Sequence, residues 1–150
     1  MKIPIDIHIR SERIYCDIVR RGETADHPET DDFNVAGTLK KKKDGYRIEF
    51  SEAGDIKTLI DTFNDETVSI NRIGGINSHM VFAPNSTHTC ICNTELFPVQ
   101  MRVRTKRLEN TISMEGGKLD IAFTIEVVGN LAEKNRITFS VSPDKSILRS

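Results

Sequence analysis

The chain has no tryptophan, two tyrosines and nine glycines in 150 residues, and its aromatic content is 6%. Its three cysteines are too few and too odd in number for a disulfide framework, so Cys16, Cys90 and Cys92 are expected as reduced thiols. The net charge of −1 supplies no field that would draw the chain to nucleic acid or to a membrane surface. No apolar run is long enough to cross a bilayer, and Met1-Lys2-Ile3-Pro4-Ile5-Asp6-Ile7-His8 lacks the unbroken apolar core of a signal peptide. A cytoplasmic protein is the expectation. Missing too are a Gly-x-Ser-x-Gly elbow, a phosphate-cradling glycine loop and a His-Glu-x-x-His pair. The chemistry these motifs serve has no foothold here, so the sequence predicts no enzyme and no cofactor.

What the sequence does have is alternation. Ile3, Ile5, Ile7 and Ile9 share one parity, as do Tyr46, Ile48 and Phe50; Val99, Met101 and Val103; Leu119, Ile121, Phe123, Ile125 and Val127; and Ile137, Phe139 and Val141. Period two gives each strand one apolar and one polar face. Asp44-Gly45, Ala53-Gly54-Asp55, Asn64-Asp65, Gly74-Gly75, Pro84-Asn85, Gly116-Gly117 and Gly129-Asn130 punctuate the runs with residues suited to tight reversals. Strands joined by short turns pair with their sequence neighbours. The prediction is an all-β, antiparallel up-and-down meander of about eight to ten strands, closed into one barrel that hides its apolar face and its edges. Residues 1–150 form a single domain large enough to bury a core without staples.

Two polar segments interrupt the pattern. Arg20 to Asp32 (RRGETADHPETDD) reads as a long exposed acidic loop whose carboxylates lack the spacing of a calcium loop. Lys40 to Lys43 sits at a hairpin tip without interleaved aromatics, which favours solubility and strand protection over phosphate contact.

The stretch His88-Thr89-Cys90-Ile91-Cys92 carries three metal-ligating residue types. On an extended strand His88, Cys90 and Cys92 point to one face, roughly 6.5 to 7 Å apart in succession. A zinc ion would need a fourth ligand, for which His79 across the hairpin is the nearest candidate. Cysteine also behaves as a small buried hydrophobe, and the stretch is read as barrel wall without a metal.

From Gly37 onward the order of motifs resembles the YwiB-like family of small bacterial proteins. The matching pieces are Tyr46-x-Ile48-x-Phe50-x-Glu52, Thr58-Leu59, Val68-x-Ile70-x-Arg72-x-Gly74, Met80-x-Phe82, Thr94, Val99-x-Met101-x-Val103-x-Thr105, Gly117-x-Leu119-x-Ile121 and Asn135-x-Ile137-x-Phe139. The family pattern Tyr-x-Thr-x-x-Gly is Cys92-Asn93-Thr94-Glu95-Leu96-Phe97 here, a thiol replacing an aromatic and phenylalanine a turn glycine. The resemblance implies a calycin-like (lipocalin-type) β-barrel and no established activity.

Glu52 continues the apolar parity of Tyr46, Ile48 and Phe50, and Arg72 continues that of Val68 and Ile70. Both charges therefore point to the core side, and a meander brings them to one barrel mouth as an ion pair. With Tyr46 and Thr94 from the matched motifs they are the candidate ligand-binding residues. The leading expectation is a small apolar or amphipathic ligand in the barrel interior or mouth, since barrels of about eight strands are just wide enough for one. The alternative is a packed structural or protein-interaction module using outer-face residues such as Gln100, Arg102, Arg104 and Lys106. In either case the chain is expected to be a monomer or homodimer, without nucleic acid, membrane or metal.

Overall fold

Each run of alternating sequence becomes a strand. The computed structural model describes residues 2–15, 29–52, 55–74, 77–93, 98–127 and 130–144. They form β1 (Lys2–Tyr15), β2 (Glu29–Lys42), β3 (Gly45–Glu52), β4 (Ile56–Phe63), β5 (Val68–Ile73), β6 (Ser78–Phe82), β7 (Thr87–Asn93), β8 (Pro98–Asn110), β9 (Gly117–Val127) and β10 (Asn130–Pro143). No helix occurs among the described residues, and none is long and apolar enough to cross a membrane.

All ten strands belong to one antiparallel sheet in the order β6-β5-β4-β3-β2-β1-β10-β9-β8-β7. The two ends of the sequence supply adjacent central strands: Ile7 pairs with Val141 and Arg13 with Asn135. The sheet's own edges, β6 and β7, are joined by the turn at Pro84-Asn85, so the sheet curls into a nearly closed barrel with its seam between them. Bulges at Thr105/Arg107 and Leu131/Glu133 sharpen the bend of β8 and β10.

The predicted reversals stand where the turn residues are. Lys43-Asp44 closes the β2–β3 hairpin, and Gly45 follows with a φ of 156° against the Thr62 carbonyl, where an added Cβ would clash at 1.7 Å. Ser113 and Gly116 exchange backbone hydrogen bonds of 2.8 and 3.0 Å in the β8–β9 connection, ahead of Gly117. Gly74 ends β5, with its amide held by Asn77 Oδ1 at 3.0 Å, while Gly75 lies outside the described residues.

The acidic segment departs from expectation. It is strand, not loop, from Glu29 onward: Glu29, Thr30, Asp31 and Asp32 pair with Arg13, Glu12, Ser11 and Arg10 of β1. Long β1 offers an unpaired ladder, and its arginines oppose the acids across it, so polar residues extend the hairpin above the core. Residues 16–28 lie outside the described set, Cys16 among them.

The apolar faces meet inside. Ile5, Ile7, Leu39, Ile48, Ile60, Val68, Val103, Leu119 and Ile121 are all essentially inaccessible. They fill the half of the barrel near the β2–β3 and β8–β9 turns, here called the lower half. Midway up, the Phe82 ring from β6 meets the Phe123 ring from β9, with centroids 4.8 Å apart and planes tilted by 57°. Above that aromatic floor the interior opens.

Candidate functional site

The upper mouth is built where strands outrun the core. Ile9, Ser11 and Arg13 rise on β1, Glu29, Asp31 and Phe33 descend on β2, and Asn135, Ile137 and Phe139 descend on β10, all by the same period-two logic that turns their lower neighbours inward. β3 and β5 contribute Phe50, Glu52, Ile70 and Arg72, with Thr58 of β4 between them. These side chains, with Met80, Phe82, Phe123 and Ile125, enclose a cavity of about 230 Å³. Five of the chain's seven phenylalanines line it.

Among the described residues the charges stand at the cavity's rim. Arg72 Nη2 donates to Glu52 Oε2 at 2.9 Å, and the Thr58 hydroxyl donates to the same oxygen at 3.4 Å. Thr58 is opposite Phe50 on one side and Arg72 on the other, so β4 spaces the pair and the long side chains close over it. Glu52 and Arg72 thus meet at one mouth, as their parity and the meander require. The pair is not shielded: the Glu52 side chain is 25% exposed and that of Arg72 45%. A second cluster stands on β1 and β10, where Arg13 Nε lies 3.0 Å from Glu133 Oε1 and 3.2 Å from Asn135 Oδ1.

Of the other candidates, Tyr46 shares the inward parity of Glu52 but not its height. Six residues of extended strand separate them by about 20 Å, and Tyr46 borders a different hollow of about 220 Å³ at the lower end with Phe63, Leu108 and Ile112. Parity fixes a face but not a depth, so Tyr46 does not belong to the upper mouth. Thr94 lies outside the described residues. Cys90 is a buried thiol opposite Met101, and His88 is half-buried opposite Val103, so this parity does face the core. His79 sits on the opposite, outward face of β6, beside Asn71 of β5, and cannot complete a site with them. Among the described residues no three metal-ligating side chains converge.

Two carboxylates that sequence reasoning passed over are the most enclosed among the described residues. Asp61 on β4 and Asp120 on β9 have the outward parity, yet are 5% and 1% exposed. Asp61 receives Arg47 Nε at 2.7 Å, Arg47 Nη2 at 3.0 Å and Lys42 Nζ at 3.3 Å. Asp120 receives Arg136 Nη2 at 2.8 Å and Nε at 3.1 Å, with Arg107 Nε at 3.6 Å. Burial pushes the Asp61 carboxyl up, but the Arg47 hydrogen bonds and the charges of Arg47 and Lys42 outweigh it and hold it below its ordinary value of 3.8. The Arg136 fork holds Asp120 below the same value against a smaller cost of burial. Both guanidiniums are raised in turn, each first by the hydrogen bond to its aspartate. Lys42 also lies over the Phe63 ring at 5.9 Å, so one lysine of the basic run is an anchor rather than a solvated tip. For Asp61 the sequence signal was an arginine, Arg47, directly opposite across a hairpin; Asp120 is opposite Thr138 and Glu109 and takes Arg136 diagonally, so neither contact is readable before register is known.

A nearly closed antiparallel barrel, packed below and open above to an apolar chamber with a charged rim, is the class of structure that results. The chain belongs to the family described as Domain of unknown function (DUF1934), which matches residues 16–139. Among solved structures it is similar to the one titled "Crystal structure of ywiB protein from Bacillus subtilis", with a TM-score of 0.78 over 95% of this chain and 93% of that one. At 16% identity that likeness concerns the fold, and there the resemblance to the YwiB-like family is borne out. No curated protein matches the chain.

Proposed function

We propose that this chain is a binding protein that holds a small apolar or amphipathic molecule in its upper mouth. The observation that supports this reading is the chamber of about 230 Å³, floored by Phe82 and Phe123 and rimmed by charge. A fully packed barrel would have filled that volume with side chains, as the layer of Ile7, Leu39, Ile48 and Leu119 is filled. An apolar cavity of roughly 150 Å³ is enough to bind benzene, so the chamber takes a slightly larger body. The reading extends to a non-enzymatic protein of the cytoplasm, supported by the thiol chemistry expected of the cysteines and by a sequence without hydrolase or phosphate-loop motifs.

Titration of the labelled full chain with benzene, followed by amide chemical shifts, tests the reading. Saturable shifts are expected at Ile125, Ile137 and Phe139, and Ile137→Trp, which fills the chamber, should abolish them. Shifts that never saturate, or that survive the filled variant, would sink it.

A second reading, a protein-interaction module, has one observation of its own. Ile91 on edge strand β7 is 57% exposed on the outer face, opposite Gln100. If that edge joins copies of the chain, Ile91→Lys should shift its sedimentation toward the monomer; an unchanged profile removes the reading.

A further inference from the structure

Thr138 on β10 is the centre of a second hollow, on the outer face of the wall. Ile137 and Phe139 turn to the chamber, and the residues between and beside them turn outward by the period of the strand. Arg10 of β1 is directly opposite Thr138 on one side and Asp120 of β9 on the other, with Ser140 and Arg136 two residues away along β10. Lys118 and His8 are opposite Ser140, and Glu12 is opposite Arg136. Short Thr138 and Ser140 between longer flanking side chains leave a hollow of about 410 Å³, which shares no lining residue with the chamber.

Its donors are only partly used. Among the described residues the Lys118 ammonium makes no ion pair and the Ser140 hydroxyl no hydrogen bond. The Arg136 guanidinium gives Nε and Nη2 to Asp120 and turns Nη1 away from it. Arg10 reaches Glu12 through Nη2 alone, at 3.5 Å. Arg10, Lys118 and Arg136 are exposed and Ser140 is half-buried, so a solute reaches all four. The His8 ring has both nitrogens engaged, each 2.9 Å from an oxygen of Asp32 or Asn34, and serves as wall. Asp120 lies beneath Arg136 and Arg107, outside the lining, so the lining's three cations face one carboxylate, Glu12.

We infer that this hollow binds the phosphate group of a small molecule, the free ion or a monoester. Lys118 and Arg10 stand on strands two apart, roughly 10 Å between backbones, so an occupant seated over Thr138 has one on each side. A tetrahedral group presents oxygens to both at once while Ser140 donates from the floor. A planar carboxylate turns its two oxygens to one side only. Glu12 and Asp32 bound the hollow along β1 and β2 with negative charge, which confines the positive field and disfavours an extended polyanion.

Inorganic phosphate, phenyl phosphate and acetate are titrated in turn into the labelled full chain at constant ionic strength. Both phosphates should shift the Lys118, Thr138 and Ser140 amides saturably, and acetate should bind at least about tenfold more weakly. Tighter binding of phenyl phosphate identifies an ester as the occupant, and equal or tighter binding of inorganic phosphate the free ion; either supports the site. Lys118→Gln and Ser140→Ala should each weaken phosphate about tenfold, the worth of a hydrogen bond to a charged group. Lys57→Gln, on β4 away from the hollow, should leave the affinity unchanged. Shifts that never saturate, acetate bound as tightly as phosphate, no loss in Lys118→Gln, or an equal loss in Lys57→Gln would each overturn the inference. The binding mouth stands or falls separately, because the two hollows have no side chain in common.

Discussion

Asp120 and Glu52 each meet an arginine, but on opposite faces of the barrel wall and in opposite circumstances. Asp120 points outward and has a side chain 2% exposed; Glu52 points inward and is 25% exposed. A short aspartate on the outer face lies close to the sheet, beneath the aliphatic stems of longer neighbours that carry their own charges out to water. A glutamate on the inner face, near the end of its strand, has risen above the core and meets water through the mouth. Facing and burial are therefore separate properties in a single-walled barrel. The outer pair is fork-like, two parallel bonds from one guanidinium, whereas the rim pair rests on one bond from Arg72.

The largest expected difference is in stability. Asp120→Ala removes the acceptor of the Arg136 fork and should lower the unfolding free energy by about 1.5–3 kcal/mol, the range for hydrogen bonds to charged groups. Urea unfolding measures it. A loss below about 0.5 kcal/mol would place Asp120 among ordinary surface ion pairs and erase the contrast with the rim.

Acid comes next, with a definite sign. Asp61 and Asp120 titrate below their ordinary value of 3.8 when folded, so the folded state binds fewer protons than the unfolded one. Their contribution is fully present above that value and is lost as pH falls through the lowered folded values. The parent should lose stability more steeply below 3.8 than an Asp61→Asn, Asp120→Asn double variant. Unfolding curves at a series of acidic pH values decide the matter; parallel slopes for the two proteins would show that neither carboxyl is held low.

These comparisons bear on how far the fold and site could be read from the residues. The meander was legible because alternation and turn chemistry agree at several described reversals, as beside Asp44-Gly45, at Asn64-Asp65 and ahead of Gly116-Gly117. Glu52 and Arg72 were legible because parity and an even strand count put them at one end. Glu29 to Asp32 were not, because residues facing an open mouth need no apolar character and the alternation fades where the core stops. Tyr46 shares the face of Glu52 but lies at the other end of the barrel, since a strand's period says nothing of depth. Asp61 and Asp120 were hidden by the same rule that exposed the fold: outward parity implied solvent, while their burial depends on Arg47, Lys42, Arg136 and Arg107 from other strands.

At the rim the expected effect shrinks. Had the Glu52–Arg72 pair been shielded, stranding one charge would cost about 3–5 kcal/mol. With both side chains in partial contact with water, Glu52→Gln should cost no more than about 1 kcal/mol. A much larger loss would mean that the mouth is closed to water in solution, and the chamber would then be sealed rather than open.

Salt gives the smallest effect and the sharpest separation of the two faces. Raising ionic strength from about 0.15 to about 1 M shortens the screening length from about 8 to about 3 Å, which screens pairs in contact with water and leaves enclosed pairs largely intact. The cost of Glu52→Gln should therefore fall to a few tenths of a kcal/mol or less in high salt, while the cost of Asp120→Ala should hold. The experiment is a pair of urea titrations on each variant and on the parent, at both salt concentrations, compared as differences so that general salt effects cancel. Equal attenuation of both costs would mean that the arginines around Asp120 admit water freely, and that outer and rim carboxylates differ in geometry alone. Attenuation of the Glu52 cost only is the outcome that ties each pair's strength to its enclosure, with Arg136 and Arg107 closing over one carboxylate and the mouth leaving the other open.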